Sequence, residues 1–292
     1  MTIMASFKTI ALIGRYNTGQ NGETYRELRK FLENRGCVVL LERQTAANNG
    51  CSGFNVADYD EIGARADLAV VIGGDGTMLN AARRLVLHQV PLVGVNQGRL
   101  GFMTDIAAGH MLESLGQILA GNYSIEERTL LAAEVRRDGE SILSTLALND
   151  VVVNKGAIGR LIEFLVHING EFVYDLRSDG IIVATPTGST AYALSSNGPI
   201  LQPNVPGLVL VPICPHTLSN RPITVSDKSV IEITLKRAID ARLHFDGQPD
   251  CDLAEGDRVV LHSAGPCIRF VHPPGYSYYA MLREKLHWSE SL

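Results

Sequence analysis

The chain has 292 residues and a formal net charge of -5. It therefore has room for two ordinary domains and lacks the positive field of a nucleic-acid binder or a polybasic membrane protein. Hydrophobic residues make up 46% of it, and the five scattered cysteines (Cys37, Cys51, Cys214, Cys251, Cys267) form no C-x-x-C pair, which fits reduced thiols in a cytosolic protein rather than a disulfide framework or a zinc site.

The apolar start, ending in Thr9-Ile10-Ala11-Leu12-Ile13-Gly14, is short and resembles a first strand more than a signal peptide. No run approaches a membrane span, so the expected location is the cytoplasm. Glu23 to Asn34 predicts a helix, with Tyr25, Leu28, Phe31 and Leu32 on one face. Gly36 fits its stop and Cys37 to Leu41 a second strand; Asn48 to Asn55 is polar and glycine-containing, so a loop is expected there. Leu68–Ile72 predicts a strand, followed by Gly73-Gly74-Asp75-Gly76-Thr77 and a helix from Met78 to Leu87. Pro91 to Asn96 predicts a further strand and Met111 to Ala120 a further helix. Such β-α alternation predicts a Rossmann-like parallel sheet with functional loops at the C-terminal strand ends.

From Arg128 the helical period gives way to short strands. Arg137-Asp138-Gly139-Glu140 and Ile168-Asn169-Gly170-Glu171 carry hairpin-turn dipeptides. Leu161 to Ile168, Ile181 to Thr185, Leu208 to Ile213, Ser229 to Lys236, Arg242 to Phe245, Arg258 to His262 and Ile268 to Val271 all predict strands, and Tyr278 to Leu286 a helix. The expected organisation is an α/β domain over 1–127, an all-β sandwich over 128–274, and a segment 275–292 packing back on the first.

The glycine turn has phosphate-cradle character, because small residues let N–H groups approach an anion. Its Asp75 repels phosphate, so it reads either as a plain first-turn carboxylate or as a group that takes a proton or holds a metal. Thr185-Pro186-Thr187-Gly188-Ser189-Thr190-Ala191-Tyr192 follows a strand and crowds hydroxyls into one turn; it reads as a capping turn or as a set of ribose, phosphate and base contacts. Tyr192 is a core aromatic or an adenine platform. Asn149-Asp150 is a turn or a pair gripping two ribose hydroxyls. Arg177-Ser178-Asp179-Gly180 is an exposed turn or a nucleotide contact, with Lys155 and Arg160 as further local cations. Asp246-Gly247-Gln248 reads as a tight turn, and His216 as a base or, with better reason, a structural hydrogen-bonder, with no second histidine at metal-ligand spacing.

Together these segments resemble the NAD kinases, in order and along most of the chain. The resemblance rests on Gly73-Gly74-Asp75-Gly76, Gly94-Val95-Asn96 with Gly98 and Leu100-Gly101-Phe102, Asn149-Asp150, Ser178-Asp179-Gly180, Thr185 to Tyr192, Gly198-Pro199-Ile200, Pro215-His216-Thr217-Leu218-Ser219 with Arg221-Pro222, and Asp246-Gly247-Gln248. The glycine motif alone also occurs in lipid kinases and 6-phosphofructokinases; the threonine-rich turn and Pro-His-Thr-Leu-Ser are much more specific. The ending Leu286-His287-Trp288 is similar to the enzymes of Gram-negative bacteria.

What the resemblance implies is a site between an α/β and an all-β domain, where the ATP γ-phosphoryl group passes to the 2′-hydroxyl of the adenosine ribose of NAD. It makes Asp75 the proton acceptor, Gly76 its neighbour in the NAD-binding turn, and Gly73, Gly74, Gly76 and Thr77 the phosphate cradle. Asn149 and Asp150 hold a ribose of NAD; relatives often carry glutamate at the second position. Thr190, Ala191, Tyr192, Ala193, Leu194 and Ser195 contact the adenosine. Arg177 and Asp179 form a nucleotide-contacting pair that family members can share across a subunit interface, and Arg160 and Gln248 are further NAD contacts. Mg²⁺ is expected with ATP and no metal site on the protein itself; a homotetramer is expected. Rival readings are a kinase with a lipid or sugar-phosphate acceptor and a non-catalytic dinucleotide sensor, which has no need for Asp75. A dehydrogenase is disfavoured, since no G-x-G-x-x-G follows any predicted strand. The donor (ATP or polyphosphate), acceptance of NADH and feedback by NADPH stay open.

Overall fold

The structure is a computed structural model that describes residues 7–15, 22–98, 101–156, 160–217 and 219–288. The chain divides into two compact units, Met1–Glu127 with Ile268–Leu292, and Arg128–Cys267. Residues 268–274, grouped with the β domain by sequence, belong to the first unit here.

The first unit runs β1 (Thr9–Gly14), α1 (Gly22–Glu33), β2 (Val38–Glu42), α2 (Arg43–Asn49), β3 (Asn55–Ala57), α3 (Tyr59–Arg65), β4 (Leu68–Ile72), α4 (Asp75–Leu85), β5 (Leu92–Asn96), β6 (Ile106–Ala107) and α5 (Met111–Leu119). Its strands pair in parallel in the order β3-β2-β1-β4-β5, with β6 on β5. β4 and β5 are buried at every position, the pattern of a sheet covered on both faces. On one face Ile10, Leu12, Val70 and Val93 pack with Tyr25, Leu28 and Leu32 of α1 and Leu115 of α5. Met78, Ala81, Ala82 and Leu85 of α4 are also fully buried.

The strand order reverses between β1 and β4, so Gly14 and Ile72 end side by side at a topological switch point, where α/β sheets bind ligands.

The expected loop over Asn48 to Asn55 is corrected. Asn48 and Asn49 end α2, Gly50 closes that helix in the left-handed region (φ 58°), and Asn55 opens β3. The helix start is cryptic because Glu42, a residue seldom found at that position, caps it by accepting from the Gln44 and Thr45 N–H groups.

The second unit is built almost wholly of antiparallel strands. They are β7 (Ser124–Arg137), β8 (Glu140–Ala147), β9 (Asp150–Lys155), β10 (Ile162–Ile168), β11 (Glu171–Ser178), β12 (Gly180–Ala184), β13 (Gly207–Ile213), β14 (Ile223–Ser226), β15 (Ile231–Arg237), β16 (Ala241–Phe245), β17 (Gln248–Leu253) and β18 (Arg258–His272), with the one-turn α6 (Tyr192–Ser195). One sheet has the order β14-β13-β12-β9-β16-β17; the other includes β11-β10-β15-β18 and the β7–β8 hairpin. Alternate residues of both sheets share one core, among them Val151, Val153, Ile181 and Leu243 from the first and Phe164, Val166, Ile233 and Val259 from the second. That is a sandwich. Three hairpins turn on Asp138-Gly139, Asn169-Gly170 and Asp246-Gly247, each with both residues at positive φ as a type I′ turn requires.

The two strands expected at 258–262 and 268–271 are a single strand, β18, which runs through Gly265-Pro266 and carries the chain back into the first unit. The first unit then ends with α7 (Tyr278–Leu286). Among the described residues no helix is long and apolar enough to cross a membrane.

Candidate active site

The glycine turn sits at the C-terminal end of β4. Gly73 donates its N–H to the Val95 carbonyl (2.9 Å), and α4 starts at Asp75 with no side chain capping it. A Cβ on Gly73 would collide with the Thr77 hydroxyl, whereas nothing lies within 4 Å of where one would stand on Gly74 or Gly76. The first glycine lets the turn close, and the other two leave space at the positive end of an eleven-residue helix. An anion fits such a place.

Asp75 is held there rather than left loose. Its two carboxylate oxygens accept the N–H groups of Phe102 (2.9 Å) and Met103 (3.0 Å). The strap 101–104 comes this close because two glycines allow it: a Cβ on Gly101 would strike the Asp75 carboxylate, and one on Gly94 would stand 2.7 Å from the Met103 carbonyl. Asn96 ties the same strap by donating to the Thr104 hydroxyl (2.8 Å), while its own Oδ1 accepts from the Gly98 N–H (2.6 Å). The Gly94, Asn96, Gly98, Gly101 pattern is thus the housing of Asp75. Leu100 of that motif and Leu218 of Pro-His-Thr-Leu-Ser lie outside the described residues.

In the second unit, Asn149, Asp150, Val152, Asn154, Ala191, Tyr192, His244, Asp246 and Gly247 line a cavity of about 290 Å³. Asp246 organises it. Its carboxylate accepts the N–H groups of Asn149 (2.7 Å), Leu148 (3.1 Å) and Asp150 (3.3 Å). From the other side the Asn149 carbonyl accepts from Thr185 N–H (2.9 Å), and the Thr185 hydroxyl accepts from Gly188 N–H (3.1 Å). Any side chain on Gly188 would run into the Asn149 carbonyl. The threonine-rich turn and the Asn149-Asp150 pair therefore form one construction.

Two amide oxygens, Asn149 Oδ1 and Asn154 Oδ1, are buried without a hydrogen-bond partner among the described residues. Buried polar atoms seldom go unpaired without a reason. Burial, reinforced by the Asp246 charge, raises Asp150 to about 7. A carboxyl group in its protonated form both donates and accepts, which suits a pair of hydroxyls.

The remaining candidates are placed as follows. Thr190 donates its hydroxyl to the Thr187 carbonyl (3.1 Å). Ala193 is fully buried against Val152, Ile182 and Val209, and its carbonyl accepts from the Gly198 N–H (2.8 Å). Leu194 is half-buried. Ser195 lines a second cavity of about 550 Å³ with Tyr192, Cys214, Pro215 and Arg221. Asp179 is bound to Lys155 (2.6 Å), and Arg177 lies 3.8 Å from Glu163 with an exposed side chain. Arg160 and Gln248 are exposed. Arg160, Arg177, Asp179 and Gln248 line neither cavity. The His216 N–H donates to the Arg177 carbonyl (2.9 Å) and its side chain is exposed.

Sequence reasoning missed Val152, Asn154 and His244. The signal was period-two alternation: Val151 and Val153 enter the core, so Asp150, Val152 and Asn154 share the opposite face, and His244 pairs with Val152 across β16. Burial and the neighbouring Arg242 guanidinium push His244 below its ordinary pKa.

The sequence profiles of two known domains match the chain, the ATP-NAD kinase N-terminal domain over residues 10–123 and the ATP-NAD kinase C-terminal domain over residues 148–272. An NAD kinase of Aromatoleum aromaticum is 59% identical over 285 residues, covering 97% of this chain and 95% of its own. One from Azoarcus sp. is 58% identical over 286 residues, covering 98% and 97%. Among solved structures, yeast NADH kinase complexed with NADH superposes with a TM-score of 0.90 at 26% identity, over 99% of this chain and 90% of that one. An NAD kinase from Archaeoglobus fulgidus in complex with ATP has the same fold, with a TM-score of 0.75 at 24% identity, over 96% of this chain and 98% of its own. With both domains matched and near full-length relatives more than half identical, the chain belongs to the NAD kinase family.

Proposed function

We infer that this chain phosphorylates NAD, passing the γ-phosphoryl group of ATP to the 2′-hydroxyl of the adenosine ribose and releasing NADP and ADP. The observation that carries the residue assignment is the Asp75 carboxylate, fixed by two N–H groups at the open start of α4. A ribose hydroxyl is a weak nucleophile at neutral pH. Asp75 takes its proton as the new oxygen–phosphorus bond forms and the bond to the β-phosphate oxygen breaks. Such a base contributes on the order of 10²–10⁴ in rate, and the rest comes from placement and charge neutralisation.

The backbone of Gly73, Gly74, Gly76 and Thr77 serves phosphate. Asn149 and Asp150 hold the ribose hydroxyls, supported by the unpaired Asn149 oxygen and the raised pKa of the buried Asp150. Tyr192, 43% exposed, offers its ring to adenine alongside the backbone of Thr190, Ala191, Ala193, Leu194 and Ser195. Arg177 and Asp179 are assigned to nucleotide contact from a neighbouring subunit of a homotetramer, with Arg160 and Gln248 as outer contacts. None of the five cysteines is joined in a disulfide, which supports a cytoplasmic location.

Among the described residues no group of three or more His, Cys, Asp or Glu side chains is placed to hold an ion. In this reading Mg²⁺ arrives with ATP, where it screens the phosphates.

The test is a turnover assay pairing NAD or NADH with MgATP or polyphosphate. NADP must appear from NAD and MgATP; its absence from folded protein overturns the reading. The other pairings settle donor and acceptor range.

A further inference from the structure

The strap that holds Asp75 does not end at Thr104. The next residue, Asp105, points its carboxylate at a buried histidine that arrives from the far end of the chain. His272, the last residue of β18, donates Nδ1–H to Asp105 Oδ2 at 2.8 Å. Its ring lies flat on Tyr276, 3.7 Å between centroids and 6° between planes. On the other side its Nε2 stands 3.8 Å from Glu126 Oε1, an ion-pair distance rather than a hydrogen bond. The side chain is only 4% exposed, so the ring has no room to swing away.

We propose that His272 is a positioning residue for Asp75. It pins Asp105, and Asp105 fixes the end of the strap whose Phe102 and Met103 N–H groups orient the carboxylate. The proposal rests on the reading of Asp75 as proton acceptor.

Three features make the chain of contacts mechanical rather than incidental. The strap is short, with one residue between the Met103 N–H donor and Asp105. Its middle is locked, because Thr104 is fully buried and takes a hydrogen bond from Asn96. Its far end continues directly into β6, where Ile106 pairs with Val95 of β5. Asp105 sits between those anchors, and His272 holds its side chain. The groups that face the ring are Asp105, Glu126, Tyr276 and, edge to face, Phe270, so it sits between two carboxylates. Burial works against its charged form, but the bond to Asp105 and both acidic neighbours work for it, and the net effect raises its pKa.

The experiment compares His272→Ala, which removes the donor, with His272→Asn, whose amide N–H stands close to where Nδ1–H lies. Each is made alone and on Asp75→Asn, with thermal melts and NAD and ATP saturation curves for all. The expected result is that His272→Ala lowers kcat about 10- to 100-fold, the penalty of a misplaced catalytic group, with KM for NAD little changed. His272→Asn recovers most of that loss, and on Asp75→Asn the alanine substitution costs nothing further. If His272→Ala does not fold, His272→Gln takes its place, since its longer amide reaches toward Glu126 instead.

A folded His272→Ala or His272→Gln with wild-type kcat overturns the proposal. So does a change in KM alone, a failure of Asn to rescue, or a loss that repeats in full on Asp75→Asn. A separate result, near wild-type turnover in Asp75→Asn by itself, overturns the proton-acceptor reading instead.

Discussion

The Asp246 carboxylate, in the β16–β17 turn, accepts the backbone N–H of Asn149 at 2.7 Å. That bond joins a hairpin turn to the Asn149-Asp150 pair nearly a hundred residues earlier. Replacing Asp246 by Asn keeps the left-handed backbone (φ 49°) but turns one acceptor into a donor facing N–H groups. The expected cost is about 1–3 kcal/mol of stability and roughly a tenfold rise in KM for NAD, a 1.4 kcal/mol loss of binding. Denaturant melts and saturation kinetics check both; an unchanged KM in the folded variant separates Asp246 from the site.

Asp75→Asn preserves size and position while removing the proton acceptor. Turnover is expected to fall by about 10²–10⁴, with the melting temperature and NAD affinity retained. Calorimetric titration with NAD beside the turnover assay measures this, and turnover near wild type removes Asp75 from the role.

Two glycine substitutions should separate housing from ligand space. Gly101→Ala drives a methyl into the Asp75 carboxylate, so kcat drops by at least about tenfold and stability falls by about 1–3 kcal/mol. Gly74→Ala meets nothing within 4 Å in the structure. Its melting temperature should hold while KM for ATP rises. The reverse pattern contradicts the assignment of Gly74 to phosphate.

The buried Asp150 gives a pH signature. Its pKa is raised to about 7 in the folded chain against about 3.9 unfolded. Between those values the folded state keeps a proton that the unfolded state has released, so stability falls as pH rises from about 4 to 7. Below that window the contribution vanishes, and above it the full penalty applies. Asp150→Asn should remove this slope and melt higher than the wild type at pH 8. Melts from pH 4 to 8 test it, and parallel curves exclude Asp150 as the source.

Much of this architecture is legible in the amino-acid sequence. Strand β1, helix α5, the I′ hairpins at Asp138-Gly139 and Asn169-Gly170, and the terminal helix α7 announce themselves through period and turn chemistry. The glycine turn is legible because Gly73, Gly74 and Gly76 crowd the junction between an apolar run and a helix-like stretch. What sequence does not carry is partnership at long range. Nothing near Asp246 says that its carboxylate will hold residues 148–150, and nothing near Gly101 says that Asp75 is its neighbour. His244 is hidden for a different reason: one histidine in a strand of core residues has a meaning only once β9 is known to lie beside it. The continuous β18 is hidden by Gly265-Pro266, a pair that usually interrupts a strand.

Because β18 returns to a unit that the chain left at Glu127, synthesis and completion fall out of step. The ribosome has made the whole sandwich before it makes the Ile268–His272 end of that strand. Until then β5 lacks the Phe270 contact on its edge, and Asp105 lacks its imidazole. Asp75 is encoded early, yet the last strand of its unit is encoded only after every residue of the sandwich.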